Sequence, residues 1–205
     1  MSQSDERPLV SVVMANHNGA AFLAEALRSA LGQSLTAIEV VLADDGSTDD
    51  SLAIARAIAT KDPRLVVLPP ARNGGPGAAR NRGFDAARGH WIAVMDSDDL
   101  MHPERLARLV VAAGRAGADI IADDMLAFSE DGSAPEPMLH GRFALPAQVD
   151  LALYVRANAL FGRLPALGYL KPLFRADMLR RSGVRYDPSL RIAEDYDLVA
   201  RLLAR

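Results

Sequence analysis

Cysteine is absent from all 205 residues, which excludes disulfides, thiol nucleophiles and cysteine-bound metals and suits a reducing compartment. A positive charge excess is absent as well. With 23 Lys and Arg against 26 Asp and Glu, the formal charge is -3, and no general affinity for nucleic acid is expected. The polar opening MSQSDERP has no signal-peptide core, and no uncharged apolar run approaches the ~18 residues of a membrane helix. No repeat or low-complexity tract interrupts the chain. A soluble protein is expected from these absences, and a cytoplasmic setting is consistent with them. What is present is hydrophobic sequence, half of all residues, enough for the core of one compact domain.

That hydrophobic sequence alternates between two patterns. LVSVVMA (9–15), IEVVLA (38–43), RLVVLP (64–69) and WIAVM (91–95) are short apolar runs bounded by turn residues, and read as buried strands. ADIIADDMLAF (118–128) reads as a fifth strand. Between them, FLAEALRSAL (22–31) carries its apolar residues on one helical face. A second helix follows DDGSTDD with Ser47 or Thr48 as its cap, a third follows NGGPG (73–77), and Pro103 fits the first turn of a fourth. Buried strands alternating with amphipathic helices predict an α/β fold, a mostly parallel central sheet flanked by helices.

Residues 129–146 read as a loop. A helix near Ala147 to Arg156, a strand around Leu170 to Phe174 and helices from Ala176 and Glu194 follow it. The chain thus divides into an α/β half, 1–128, and a second half of the same domain, 129–205.

Polar residues concentrate where strands end. In open parallel sheets, ligands bind beyond the carboxyl ends of the strands. Strand one ends in Ala15-Asn16-His17-Asn18, strand two in Asp44-Asp45-Gly46-Ser47 and strand four in Asp96-Ser97-Asp98-Asp99. Five carboxylates can therefore meet at one crevice, and a divalent cation is the simplest way to offset their repulsion. Mg2+ and Mn2+ take oxygen ligands, often one or two carboxylates plus water and substrate phosphate. Residues two apart in extended backbone point the same way, so Asp96 and Asp98 can face one ion. The amide groups of the helix after NGGPG, with Arg80, suit an anion. Plainer readings exist: Asp49 and Asp50 complement a helix dipole, and His17 by itself reads as a hydrogen-bonded loop histidine.

Taken together, VSVVMANHNGAAFLAEALRSALGQSL, IEVVLADDGSTDDS, NGGPGAARNRGFDAARGHWIAVMDSDD and AEDYDLVARLL resemble the family 2 glycosyltransferases of the GT-A fold, a Rossmann-like nucleotide-binding fold. The resemblance implies inverting, metal-assisted transfer of a sugar from a nucleotide diphosphate sugar to an acceptor hydroxyl. UDP is the implied nucleotide, and exopolysaccharide or cell-envelope glycan synthesis the implied setting. By position, Asp45 would contact the base, Ala15 to His17 would line its pocket, and Asp44 would support that loop. Asp96 would lie near the ribose or the metal, and Asp98 would coordinate Mg2+ or Mn2+. Asp195 of the Glu194-Asp195 pair matches the general base.

Two departures from the family pattern are visible. Ala15 and His17 stand where many members have Pro and Tyr. The chain also stops at Arg205 inside a helical pattern, before acceptor-binding elements that members usually carry. Arg156 to Arg191 holds eight Arg or Lys against two Asp, an excess that suits a diphosphate, an anionic acceptor or peripheral contact with the inner face of a membrane. The acceptor itself would be a saccharide or a lipid-linked glycan.

Rival readings differ at the same residues. MDSDD also resembles the motif of haloacid-dehalogenase-type phosphatases, which however closes the first strand there and the fourth here. A nicotinamide dehydrogenase is disfavoured because strand one ends in ANHNG instead of GxGxxG. A non-catalytic nucleotide-sugar-binding module is the third alternative.

Overall fold

The computed structural model describes residues 7–69, 72–129, 131, 134–139, 148–159 and 166–205. Strands β1 (Val10–Asn16), β2 (Ile38–Asp44), β3 (Leu65–Val67) and β4 (Trp91–Asp96) are parallel neighbours in the order β3-β2-β1-β4. Because β1 is flanked by both β2 and β4, the chain order reverses at its carboxyl end. The register there pairs Asn16 with Asp44 and Ala15 with Asp96. Three polar strand ends are thereby placed side by side on one edge, as the alternation of patterns required.

The strands are largely apolar because both sheet faces are covered, and the buried exceptions Ser11 and Glu39 meet in a hydrogen bond of 2.5 Å. Val10, Val12 and Met14 pack on one face against α1 (Leu23–Leu31), α2 (Ser51–Ala59) and α4 (Arg105–Ala116). Val13, Val41, Ile92 and Val94 pack on the other, against α3 (Pro76–Ala86), α6 (Ala176–Ser182) and α7 (Glu194–Leu203). α3 approaches β1 closely at Gly83, where an added Cβ would stand 2.3 Å from Val13 Cγ1. Filling that contact would force the sheet and helix apart, at a cost of ~1–3 kcal/mol.

The remaining elements depart from the sequence reading in instructive ways. Segment 118–128 is two short strands, β5 (Ile120–Ile121) and β6 (Leu126–Ala127), instead of one. Asp123 and Asp124 break it: Asp123 accepts from Arg105 Nε at 2.9 Å, and Asp124 Oδ1 accepts the amides of Met125 and Leu139 at 2.8 and 3.0 Å. β6 forms a separate hairpin with β7 (Glu136–Pro137), inside the stretch read as loop, much of which lies outside the described residues. Strand β8 (Leu173–Arg175) inserts between β4 and β5 and is antiparallel to both. The 147–156 helix is α5 (Leu151–Ala157), capped by Asp150, which accepts the Leu153 amide at 2.7 Å.

The expected caps also moved. α2 begins at Ser51, because the Ser47 hydroxyl is donated to Asp44. Pro103 precedes α4 instead of opening it, and its carbonyl accepts the Ser34 amide.

Candidate functional site: a pocket at the strand ends

A pocket of about 380 Å³ opens beyond the carboxyl ends of β1, β2 and β4. Ala15, His17, Asp45, Arg80, Asp96 and Asp98 all line it. Every residue expected to bind nucleotide or metal is thus brought to one place. Asp195, the expected base, joins it through the ion-pair network described below.

On one side the carboxylates are satisfied by backbone amides and neutral groups. Asp44 accepts the Ser47 amide and hydroxyl at 2.9 and 2.6 Å and the Asn16 amide group at 3.0 Å, so it supports the loop as expected. Asp45 is 4% exposed, and its two oxygens accept the amides of Gly74 and Gly75, each at 2.8 Å. It therefore fixes the glycine turn against the end of β2. His17 Nδ1 lies 3.0 Å from the Asp45 carbonyl, and Asn73 Nδ2 lies 3.3 Å from the imidazole. Asp49 does more than face a dipole, accepting the amides of Ala20 and Ser51 at 3.0 Å.

On the other side the carboxylates are satisfied by cations. Arg80, 4% exposed, donates to Asp96 and to Glu194 at 2.6 Å and lies 3.7 Å from Asp195. Lys171 Nζ is 2.7 Å from both Asp96 Oδ2 and Asp195 Oδ2. The Tyr186 hydroxyl donates to Asp195 Oδ1 at 2.7 Å, and the Arg80 guanidinium sits 5.3 Å from the centre of the Tyr186 ring. Burial alone would push the Asp96 carboxyl up; Lys171 and Arg80 outweigh it and hold Asp96 below the usual carboxylate range. Burial would likewise lower Lys171, and Asp96 and Asp195 overcome it, keeping the ammonium protonated. For Asp99, burial together with the neighbouring charges of Asp96 and Asp98 outweighs the opposing pull of Lys171 and Arg105 and pushes its carboxyl up.

Amides and cations thus share the compensation that the sequence reading gave to a divalent ion. Backbone amides compensate Asp45, and Arg80 and Lys171 compensate Asp96. Among the described residues, no group of three His, Asp or Glu could enclose a metal. Asp98 differs: it lines the pocket, is exposed, and has no hydrogen bond or ion pair among the described residues. One free carboxylate beside a phosphate-sized space is compatible with Mg2+ or Mn2+, which take most remaining ligands from water and substrate phosphate.

Lys171, Tyr186 and Arg191 were not singled out by sequence reasoning. Their signal was the basic stretch 156–191, which the fold scatters. Arg175 pairs with Asp119, Arg180 with Asp177 and Arg185 with Asp85, while Lys171 and Arg191 reach the site.

A mostly parallel sheet whose order reverses at a polar pocket is the arrangement in which open α/β proteins bind ligands. Residues 11–174 match the model of glycosyl transferase family 2, and the chain belongs to that family. It is 42% identical to the succinoglycan biosynthesis protein ExoO of Rhizobium meliloti over 98% of this chain and 57% of the relative. It is 41% identical to ExoU of the same organism, over 95% of this chain and 57% of the relative. Among solved structures, TarS of S. aureus in complex with UDP-GlcNAc superposes with a TM-score of 0.75 at 25% identity, covering 95% of this chain and 53% of TarS. The fold is therefore GT-A. The chain spans a little over half the length of these relatives. No helix among the described residues is long and apolar enough to cross a membrane.

Proposed function

We propose that this chain forms the donor side of an inverting glycosyltransferase that moves a sugar from a nucleoside diphosphate sugar, with UDP as nucleotide, to an acceptor hydroxyl in exopolysaccharide assembly. The observation that carries the reading is the convergence of Asp45, Asp96 and Asp98 on one pocket with Asp195 held at its edge. The printed role of ExoO and ExoU in succinoglycan biosynthesis and the UDP-GlcNAc bound to TarS support it.

In this mechanism the nucleoside lies along Ala15, His17 and Asp45, and its diphosphate points towards Asp98. Asp98, with Asp96 beside it, would hold Mg2+ or Mn2+, and the ion would supply positive charge against the departing diphosphate. Asp195 takes the proton of the acceptor hydroxyl. The acceptor oxygen then bonds to the anomeric carbon as the bond to the diphosphate breaks, and the electron pair leaves with the diphosphate. Attack from the face opposite the leaving group inverts the anomeric centre. Lys171 and Tyr186 hold one Asp195 oxygen each, which fixes the carboxylate for this transfer. The acceptor, a saccharide or lipid-linked glycan, approaches along a second cleft of about 680 Å³ that reaches Lys171 and is walled by Met101, Leu109 and Phe128. The proposed setting is the cytoplasm, with peripheral contact at the inner membrane face.

The test is Asp195→Asn in the full-length protein. Transfer should fall by ~10²–10⁴-fold, the usual contribution of a general base, with donor affinity unchanged. Normal transfer by this variant would remove Asp195 from the mechanism.

A further inference from the structure

Among the described residues, Arg80, Lys171 and Arg191 approach the pocket, and the first two are already committed. Arg80 is held by Asp96 and Glu194, and Lys171 by Asp96 and Asp195. Those two positive charges face three negative ones, so the network has nothing left to offer an anion. The pocket wall adds Asp45 and Asp98. A diphosphate entering here meets net repulsion unless positive charge comes from elsewhere.

Arg191 is the third cation. It lines the pocket, is exposed, and has no ion pair among the described residues. Its position is specific. A Cβ added to Gly75 would stand 2.1 Å from Arg191 Nη1 and 3.0 Å from its Cζ, so the guanidinium rests on the bare face of that glycine. Gly75 has φ +91°, a conformation that favours glycine, and Asp45 pins its amide. The segment carrying Arg191 is also held in an unusual shape. Ile192 is 84% exposed, and Ala193 adopts φ +63° immediately before Glu194 and Asp195. A left-handed alanine costs ~1–2 kcal/mol, and such outliers concentrate at ligand-binding sites.

We infer that Arg191 is a contact for the diphosphate of the donor, a protein-supplied positive charge that acts in addition to a divalent ion at Asp98. The inference rests on the donor reading of the pocket. A guanidinium suits the task because its planar fork donates two parallel hydrogen bonds to phosphate oxygens. It also lies four residues before Asp195, on the same loop-to-helix segment, so donor occupancy and base placement share one piece of backbone.

The experiment compares wild type, Arg191→Gln and Arg191→Lys. Each is titrated with the nucleoside diphosphate that a UDP, GDP, ADP, CDP and dTDP panel selects, and with its parent nucleoside, in EDTA and in Mn2+. Arg191→Gln should weaken the diphosphate about tenfold or more in both buffers, typical of losing a charge-assisted pair, and leave the nucleoside unchanged. Arg191→Lys should recover part of the loss. Equal diphosphate affinity in wild type and Arg191→Gln would overturn the inference. So would an equal loss for nucleoside and diphosphate, because that reports pocket shape instead of phosphate recognition. If wild type binds no nucleoside diphosphate at all, the donor reading itself fails and takes this inference with it.

Discussion

The two sides of the pocket solve one problem in different ways. Asp44 and Asp45 lose their water to the amides of Ser47, Gly74 and Gly75, groups supplied by the same turns they organise. Asp96 and Asp195 lose theirs to Arg80, Lys171 and Tyr186, which arrive from α3, the segment before β8 and the segment before α7. Local amides make a fixed frame. Distant cations make a network whose members depend on one another, since removing one leaves its partners charged and buried.

The largest break in that comparison should come from Arg80→Met. It strips half-buried carboxylates of their counter-charge, and stability measured by urea unfolding should fall by ~2–4 kcal/mol. A loss under 1 kcal/mol would show that the network is not the support described. Asp45→Asn tests the other side. An asparagine carbonyl can still accept one glycine amide, but its NH2 faces the second, so the expected loss is ~1–3 kcal/mol. Because no cation is involved, that loss should be the same at low and high salt, whereas screening should change the effect of any exposed pair.

The smallest effect is expected at Asp99, where Lys171 and Arg105 compensate burial and the Asp96 and Asp98 charges only in part. Its folded carboxyl is pushed above the usual range, so the charged form disfavours folding at neutral pH. Asp99→Asn should therefore raise the melting temperature slightly at pH 7. The gain should vanish below about pH 4, where the carboxyl is protonated in folded and unfolded chains alike. A gain that persists at low pH would place the cause elsewhere. Asp96 has the opposite sign: its lowered carboxyl contributes stability above the unfolded value, which is lost as pH falls through the folded one.

What was legible in the sequence follows the same division. Strands β1, β2 and β4 are buried on both faces, so they are mostly apolar and their polar ends conspicuous. Asp45, Asp96 and Asp98 could be read as neighbours because parallel strands share an edge. Segment 118–128 misled because Ile120 and Ile121 are followed by Leu126 and Ala127 in the same apolar register, and nothing local announces that Arg105 will bind Asp123. Lys171, Tyr186 and Arg191 were illegible for a related reason. Lys171 and Tyr186 reach Asp195 at the edge of the pocket, and Arg191 its wall, through the antiparallel insertion of β8 and the packing of α7, pairings that no periodicity encodes. The sequence also suggested a metal as the main compensation for the acids, since the cations that perform it lie 16 and more residues away along the chain.

The central claim is that these strand ends hold a nucleoside diphosphate, with Asp98 free to share an ion with it. Calorimetric titration of UDP into wild type and Asp98→Asn, with and without Mn2+, addresses it most directly. Mn2+ should tighten UDP binding to wild type, and Asp98→Asn should keep the metal-free affinity while losing about tenfold or more of that gain, ~1.4 kcal/mol. A metal-dependent gain of equal size in both proteins would contradict the account.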